Sequence, residues 1–138
     1  MVQHPDSQLH PVATGPAATI VSAHQSPAPL TLYSGWFCPF VQRVWAVLEE
    51  KKIPYQYVEV NPYNKPESLM KINPRGLVPT LEFDGKPLYE SSVVLEFLED
   101  AYPDSGVSLR SKDVYLRAKA RIWADFVSSM FSFPSLEL

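Results

Sequence analysis

Two short apolar runs, LTLY (Leu30 to Tyr33) and YQYVEV (Tyr55 to Val60), bracket a stretch whose apolar residues repeat with helical spacing. Val41, Val44, Trp45 and Leu48 follow the i, i+3, i+4, i+7 rule of a single helix face. Pro39 stands where a helix's first turn has no use for an N–H. Ser34-Gly35 breaks the chain before this helix, and Pro54 breaks it afterwards. A strand, a helix and a second strand in that order pair in parallel through a right-handed crossover. Whatever else the chain does must be compatible with this unit.

The following segments extend it. NPYNKPESLMKINP is cut by three prolines and leaves room for a short helix around Glu67 to Ile72. TLEF, Asp84-Gly85 and KPLY spell a hairpin with a type I′ turn. Glu90-Ser91-Ser92 opens a helix that gathers Val94, Leu95, Leu98 and Tyr102 on one face and stops before Pro103. The order β-α-β, broken helix, β-β-α predicts an α/β fold of thioredoxin-like arrangement over residues 30–104, a size that just sustains its own core. After a polar linker, a helix is expected from Asp113 to Phe131, with Leu116, Ala120, Trp123, Val127 and Met130 in one stripe that Ile122 and Phe126 widen. Such a face normally packs against further helices. Residues 105–138 therefore read as part of a helical domain of which this chain carries the first helix.

Residues 1–29 have a different character. They hold Pro5, Pro11, Pro16, Pro27 and Pro29, one acid (Asp6) and no Lys or Arg, the composition expected of a disordered arm. A strand in VATGPAATIVSA would be interrupted by Pro16. All three histidines, His4, His10 and His24, fall in this arm and read as solvated tail residues. From Leu30 onward there is none, so a Ser-His-Asp triad, a Cys-His pair or a His-based metal site would have to recruit one from the arm. A single cysteine makes no internal disulfide, and no Cys/His zinc spacing exists, so no metal is expected and a reducing, cytoplasmic setting is. The net charge of −3 gives no reason to expect nucleic acid or an anionic membrane as partner. Neither a membrane-length apolar run nor the basic and apolar regions of a signal peptide are present.

Chemistry in the folded part thus turns on Cys38, on carboxylates, on Lys, Arg or Tyr, or on backbone groups. Cys38 is placed to cap the helix that Pro39 begins. Unpaired N–H groups and the positive end of the helix dipole there favour a negative sulfur, the reactive form of the thiol. The alternative is a buried structural cysteine; the glycine turn before it and the proline after it argue for exposure. Three residues on stands Val41, so no internal thiol can resolve a mixed disulfide. The second thiol has to come from outside, and glutathione is the obvious cytosolic donor.

WFCPFVQRVW, NKPESLMKINPRGLVPTLEFDG and YESSVVLEFLEDAYP strongly resemble the N-terminal domain of omega-class glutathione transferases, in particular fungal omega-like members. The resemblance covers about Leu30 to Phe131. It implies that Cys38 is the nucleophile that forms a mixed disulfide with glutathione, and that Phe40 lines the glutathione site. It matches Lys65 to the lysine that reaches the glycyl carboxylate, and Val78, before a cis Pro79, to the residue whose backbone pairs with the glutathione cysteine. It matches Glu90 and Ser91 to the pair that holds the γ-glutamyl end. Thiol transfer, dehydroascorbate reduction and deglutathionylation are the activities implied, with glutathione as co-substrate and a small electrophilic or disulfide molecule as second substrate. Family members continue for further helices that form most of the second-substrate pocket and help a dimer, so this chain is expected to stop early in that domain, and a homodimer is left open. A non-catalytic thioredoxin-fold binding or regulatory module, for which the intracellular chloride channel proteins are the related example, is the competing expectation. A role in a fungal secondary-metabolite pathway is a further one.

Overall fold

A computed structural model describes residues 5–8 and 12–131. The chain divides into two compact units, Met1–Val107 and Ser108–Leu138.

The first unit holds a single 3-10 turn (Pro5–Gln8), α1 (Gly15–Ala23), β1 (Leu30–Ser34), α2 (Pro39–Glu50), β2 (Gln56–Glu59), α3 (Glu67–Ile72), β3 (Thr80–Phe83), β4 (Lys86–Tyr89) and α4 (Ser91–Ala101). The strands form one sheet in the order β2-β1-β3-β4. β1 and β2 are parallel, as a strand-helix-strand unit requires, with Thr31 opposite Gln56 and Ser34 opposite Glu59. β3 runs antiparallel to both β1 and β4. Asp84 and Gly85 both take positive φ, 48° and 73°, which is the requirement of the type I′ turn expected from the sequence. The α/β, thioredoxin-like arrangement is the one the element order predicts.

Val41, Val44, Trp45 and Leu48 of α2 are all buried, together with Val94 and Leu98 of α4. They pack with Leu30, Leu32, Tyr57 and Leu81 of the sheet into one core. At the far end of α2 the Lys51 side chain is wholly buried, with Nζ 3.1 Å from Glu99 Oε1 on α4 and 3.4 Å from the Val107 carbonyl. An ammonium out of water needs such acceptors, and these tie α2 to α4.

The stretch expected to be a disordered arm carries a helix instead. Pro16 does not interrupt a strand; it sits in the first turn of α1, where its missing N–H costs nothing. Ala17, Ile20 and Val21 then pack against the core, apolar burial that a count of prolines and charges does not register. Val60 donates to Ser34 O on β1, so Tyr57, an odd number of residues away, points its N–H to the outer side of β2. That N–H donates to the His24 carbonyl at 2.7 Å. Ala13 N–H reaches Glu59 Oε2 at 3.2 Å, and Asn61 Nδ2 reaches the Ser7 carbonyl at 3.1 Å. The segment is thereby fastened along the outer strand.

His24 is accordingly no solvated tail residue. Its ring stacks on Tyr55 with centroids 3.9 Å apart, Nδ1 lies 3.2 Å from the Tyr55 carbonyl, and Nε2 lies 3.0 Å from Glu49 Oε1. The Tyr55 hydroxyl donates to Glu49 and accepts from Trp45 Nε1 at 2.6 Å. Burial first, and the hydrogen bond to Glu49 second, push the Tyr55 phenol above the ordinary tyrosine range, which keeps it a donor. His4 and His10 lie outside the described residues.

The second unit contains α5 (Val114–Phe131). Asp113 caps it, its Oδ1 accepting from Tyr115 N–H at 2.8 Å and Leu116 N–H at 3.1 Å. Leu116, Ala120, Trp123, Val127 and Met130, the stripe expected from the spacing, are exposed, as are Ile122 and Phe126, which widen it. Among the described residues no helix is long and apolar enough to cross a membrane.

Candidate functional site

The sheet's registers bring three chain segments to one end. Tyr33 pairs with Thr80, so the loop that leaves β1 lies beside the loop that enters β3. Thr80 pairs with Tyr89, so Glu90 and Ser91 emerge from β4 at that same end. Residues far apart in sequence (Cys38, Val78 and Glu90) are thus delivered together by topology alone.

Cys38 is the N-cap of α2, half-buried, with extended backbone (φ −81°, ψ 123°) and Pro39 next. Its N–H donates to the Gly35 carbonyl at 2.9 Å, closing a tight turn. Its sulfur lies 4.0 Å from the Val78 carbonyl oxygen. The Val78–Pro79 bond is cis, as the family resemblance implies, and Pro79 is buried while Val78 remains half-exposed. Phe40, in the first turn of α2, is half-buried, and the Arg43 guanidinium sits over its ring 5.2 Å from the centroid.

The loop before β3 is braced by two residues that sequence reasoning passed over. Asn73 is buried, and its Nδ2 donates to Thr80 Oγ1 at 2.9 Å. Its Oδ1 accepts from Arg75 N–H at 3.2 Å, and its carbonyl accepts from Gly76 N–H at 2.8 Å. Thr80 Oγ1 in turn donates to the Leu77 carbonyl at 2.7 Å. The sequence shows here only a segment cut by prolines, and nothing local to it says that the asparagine side chain staples both ends of the loop.

Lys65 crosses this loop at Gly76. A β-carbon at Gly76 would lie 2.9 Å from Lys65 Cδ and 2.7 Å from Met70 Sδ, and Gly76 has φ +60°, so only glycine allows the lysine to lie there. Glu90 takes φ +71°, unusual for a side chain of its kind, and its Oε1 is 3.2 Å from Arg75 Nη1. Ser91 is buried as the first residue of α4. Lys65, Val78 and Pro79, Glu90 and Ser91 therefore stand on or beside one braced loop, and Cys38 meets it through Val78. Among the described residues no group of three or more His, Cys, Asp or Glu side chains could hold a metal ion.

The residue profile described as "Glutathione S-transferase, N-terminal domain" matches residues 37–101. Pig (Sus scrofa) glutathione S-transferase omega-1 is 44% identical over 101 residues, which are 70% of this chain and 41% of that protein. The crystal structure of glutathione transferase Omega 3C from Trametes versicolor superposes with a TM-score of 0.82 at 55% identity, covering 85% of this chain and 50% of that one. A rice glutathione transferase solved in complex with glutathione gives a TM-score of 0.69 at 35% identity, over 75% of this chain and 49% of that one. The chain spans about half the length of these relatives or less.

Proposed function

The chain belongs to the glutathione S-transferase family, in its omega-like form, and on that premise we propose that it carries out glutathione-dependent thiol transfer through Cys38, chemistry of the kind that also serves dehydroascorbate reduction. The observation that carries the proposal is the meeting of Cys38 at the start of α2 with the Val78 carbonyl beside cis-Pro79, 4.0 Å from the sulfur. A helix start favours the thiolate, and a neighbouring strand-like backbone gives a tripeptide something to pair with.

The reaction needs two exchanges. The Cys38 thiolate attacks the glutathionyl sulfur of a mixed disulfide RS–SG; a Cys38–SG bond forms, the S–S bond breaks, and the electron pair leaves with RS⁻, which takes up a proton. A second glutathione, as thiolate, then attacks that bond, releasing oxidised glutathione and restoring the Cys38 thiolate. The sum is RSSG plus GSH giving RSH plus GSSG, with no further oxidant or reductant. Val78 offers its main-chain groups to the cysteinyl part of glutathione, and Phe40 lines the site. Lys65, flexible and exposed over Gly76, pairs with the glycyl carboxylate. Glu90 pairs with the γ-glutamyl ammonium, and Ser91 with the first N–H groups of α4 takes its carboxylate. The small disulfide or electrophilic substrate, a cytoplasmic setting and a homodimer are parts of the same proposal.

Intact-mass measurement after incubation with oxidised glutathione tests it. One glutathione added at Cys38, together with turnover of hydroxyethyl disulfide, is the expected result. Absence of both would overturn it and leave a non-catalytic binding module as the better reading.

A further inference from the structure

Asn73 caps the end of α3, its N–H donating to the Leu69 carbonyl at 2.8 Å, and Thr80 begins β3 opposite Tyr33. Leu69 and Tyr33 lie together in a second small core with Val60. The residues between Asn73 and Thr80 belong to no helix or strand, so their conformation depends on hydrogen bonds that no ladder supplies. The Asn73 side chain, 1% exposed, reaches across this span to Thr80 Oγ1 at 2.9 Å. Its Oδ1 and its main-chain carbonyl take the N–H groups of Arg75 and Gly76. Thr80, wholly buried, donates its own proton to the Leu77 carbonyl. Each residue held in this way stands next to one proposed contact of the tripeptide. Leu77 precedes Val78, Gly76 is the bed over which Lys65 lies, and Arg75 extends its guanidinium to Glu90.

We propose that Asn73 and Thr80 are positioning residues for glutathione: their linked side chains hold the loop in the one shape that presents Val78, Lys65 and Glu90 together. This inference rests on the reading of the loop as the glutathione site. A loop without regular hydrogen bonds has to be ordered when a ligand binds, and that ordering subtracts from affinity. The buried amide does the ordering beforehand. Burial also keeps both residues off the tripeptide, so they act only through Leu77, Gly76 and Arg75. An amide suits the task because it donates and accepts at once, which an ionised carboxylate cannot.

The variants are Thr80→Val, which keeps the shape and removes the hydroxyl, and Asn73→Asp, which turns an acceptor toward Thr80 Oγ1 in place of the donor. Thr80→Ser retains the hydroxyl and serves as the rescue. The probe is S-methylglutathione, whose blocked thiol makes its calorimetric Kd independent of Cys38 chemistry. Kd is expected to rise by about tenfold in Thr80→Val and Asn73→Asp, and by no more than about twofold in Thr80→Ser. Thr80→Val, the milder change, decides alone if Asn73→Asp does not fold. Tyr55→Phe disturbs the core at the opposite end of the sheet, beside the pair of Thr31 and Gln56, and should lower Tm with Kd within about twofold of wild type. An unchanged Kd in Thr80→Val would overturn the inference while the functional reading stands. So would a Thr80→Ser or Tyr55→Phe protein that binds as weakly as Thr80→Val. Wild-type protein that binds no S-methylglutathione would overturn the functional reading itself, and this inference with it.

Discussion

The sulfur of Cys38 lies 4.0 Å from the main-chain oxygen of Val78. A thiol can donate weakly across that gap, whereas a carbonyl offers a thiolate nothing, so stabilisation of the anion falls to the N-terminal end of α2, which Cys38 caps. A serine at this position keeps a hydroxyl donor of similar size. Cys38→Ser should therefore change stability by no more than about 0.5 kcal/mol while removing hydroxyethyl disulfide turnover entirely. Thermal unfolding and the turnover assay, run on one preparation, check both halves.

His24, Tyr55, Glu49 and Trp45 form one connected group, so its members should not be equally replaceable. Tyr55→Phe strands the Trp45 indole N–H in the core without its acceptor, at a cost of about 1–3 kcal/mol. His24→Ala removes a ring stack and a partly exposed contact with Glu49, together about 1 kcal/mol. For a domain of this size each kcal/mol moves Tm by about 4–8 °C. Differential scanning calorimetry should place the two variants in that order below wild type.

Burial pushes the Glu59 carboxyl above its ordinary value, against the opposing hydrogen bonds from Ala13, Trp36 and Tyr57. A carboxyl raised in the folded state has its charged form penalised there. Its contribution to stability is therefore fullest below the ordinary carboxylate value of about 4.3 and declines as pH rises through the higher folded value. Tm measured from pH 4 upward should show a falling component in the wild type that Glu59→Gln lacks. A variant with the same slope as wild type would locate that component elsewhere.

Lys51 and Glu99 make a buried pair, with side-chain exposures of 0% and 11%. Glu99→Ala leaves the wholly buried ammonium without its counter-charge and should cost about 3–5 kcal/mol, whereas Lys51→Met keeps the apolar stem and strands a carboxylate that still touches water, and should cost less. Chemical denaturation gives both numbers, and the reverse order would contradict the burial argument.

The core and the elements that carry the candidate site were legible in the sequence for a shared reason. Period and punctuation determine strand, helix and turn, and the strand order then brings Cys38, Val78 and Glu90 to one place. What stayed hidden depended on partners remote in sequence. Nothing local to His24 reveals that it stacks on Tyr55, and Pro16 reads as a breaker until α1 is seen to begin at it. Asn73 was only one residue of a proline-cut segment, and Glu59 only one residue of a strand. Their roles as braces arise from neighbours that only the folded chain supplies.

The bond from Tyr57 N–H to the His24 carbonyl has a practical corollary for where this domain can be cut. A protein begun at Leu30, the natural choice from composition, would leave the outer ladder of β2 open to water and to other chains. Exposed strand borders of that kind template intermolecular pairing. Preparations lacking the first 29 residues should therefore be prone to precipitation even with every residue of the proposed glutathione site intact, and the usable start of the domain lies upstream of Ala13.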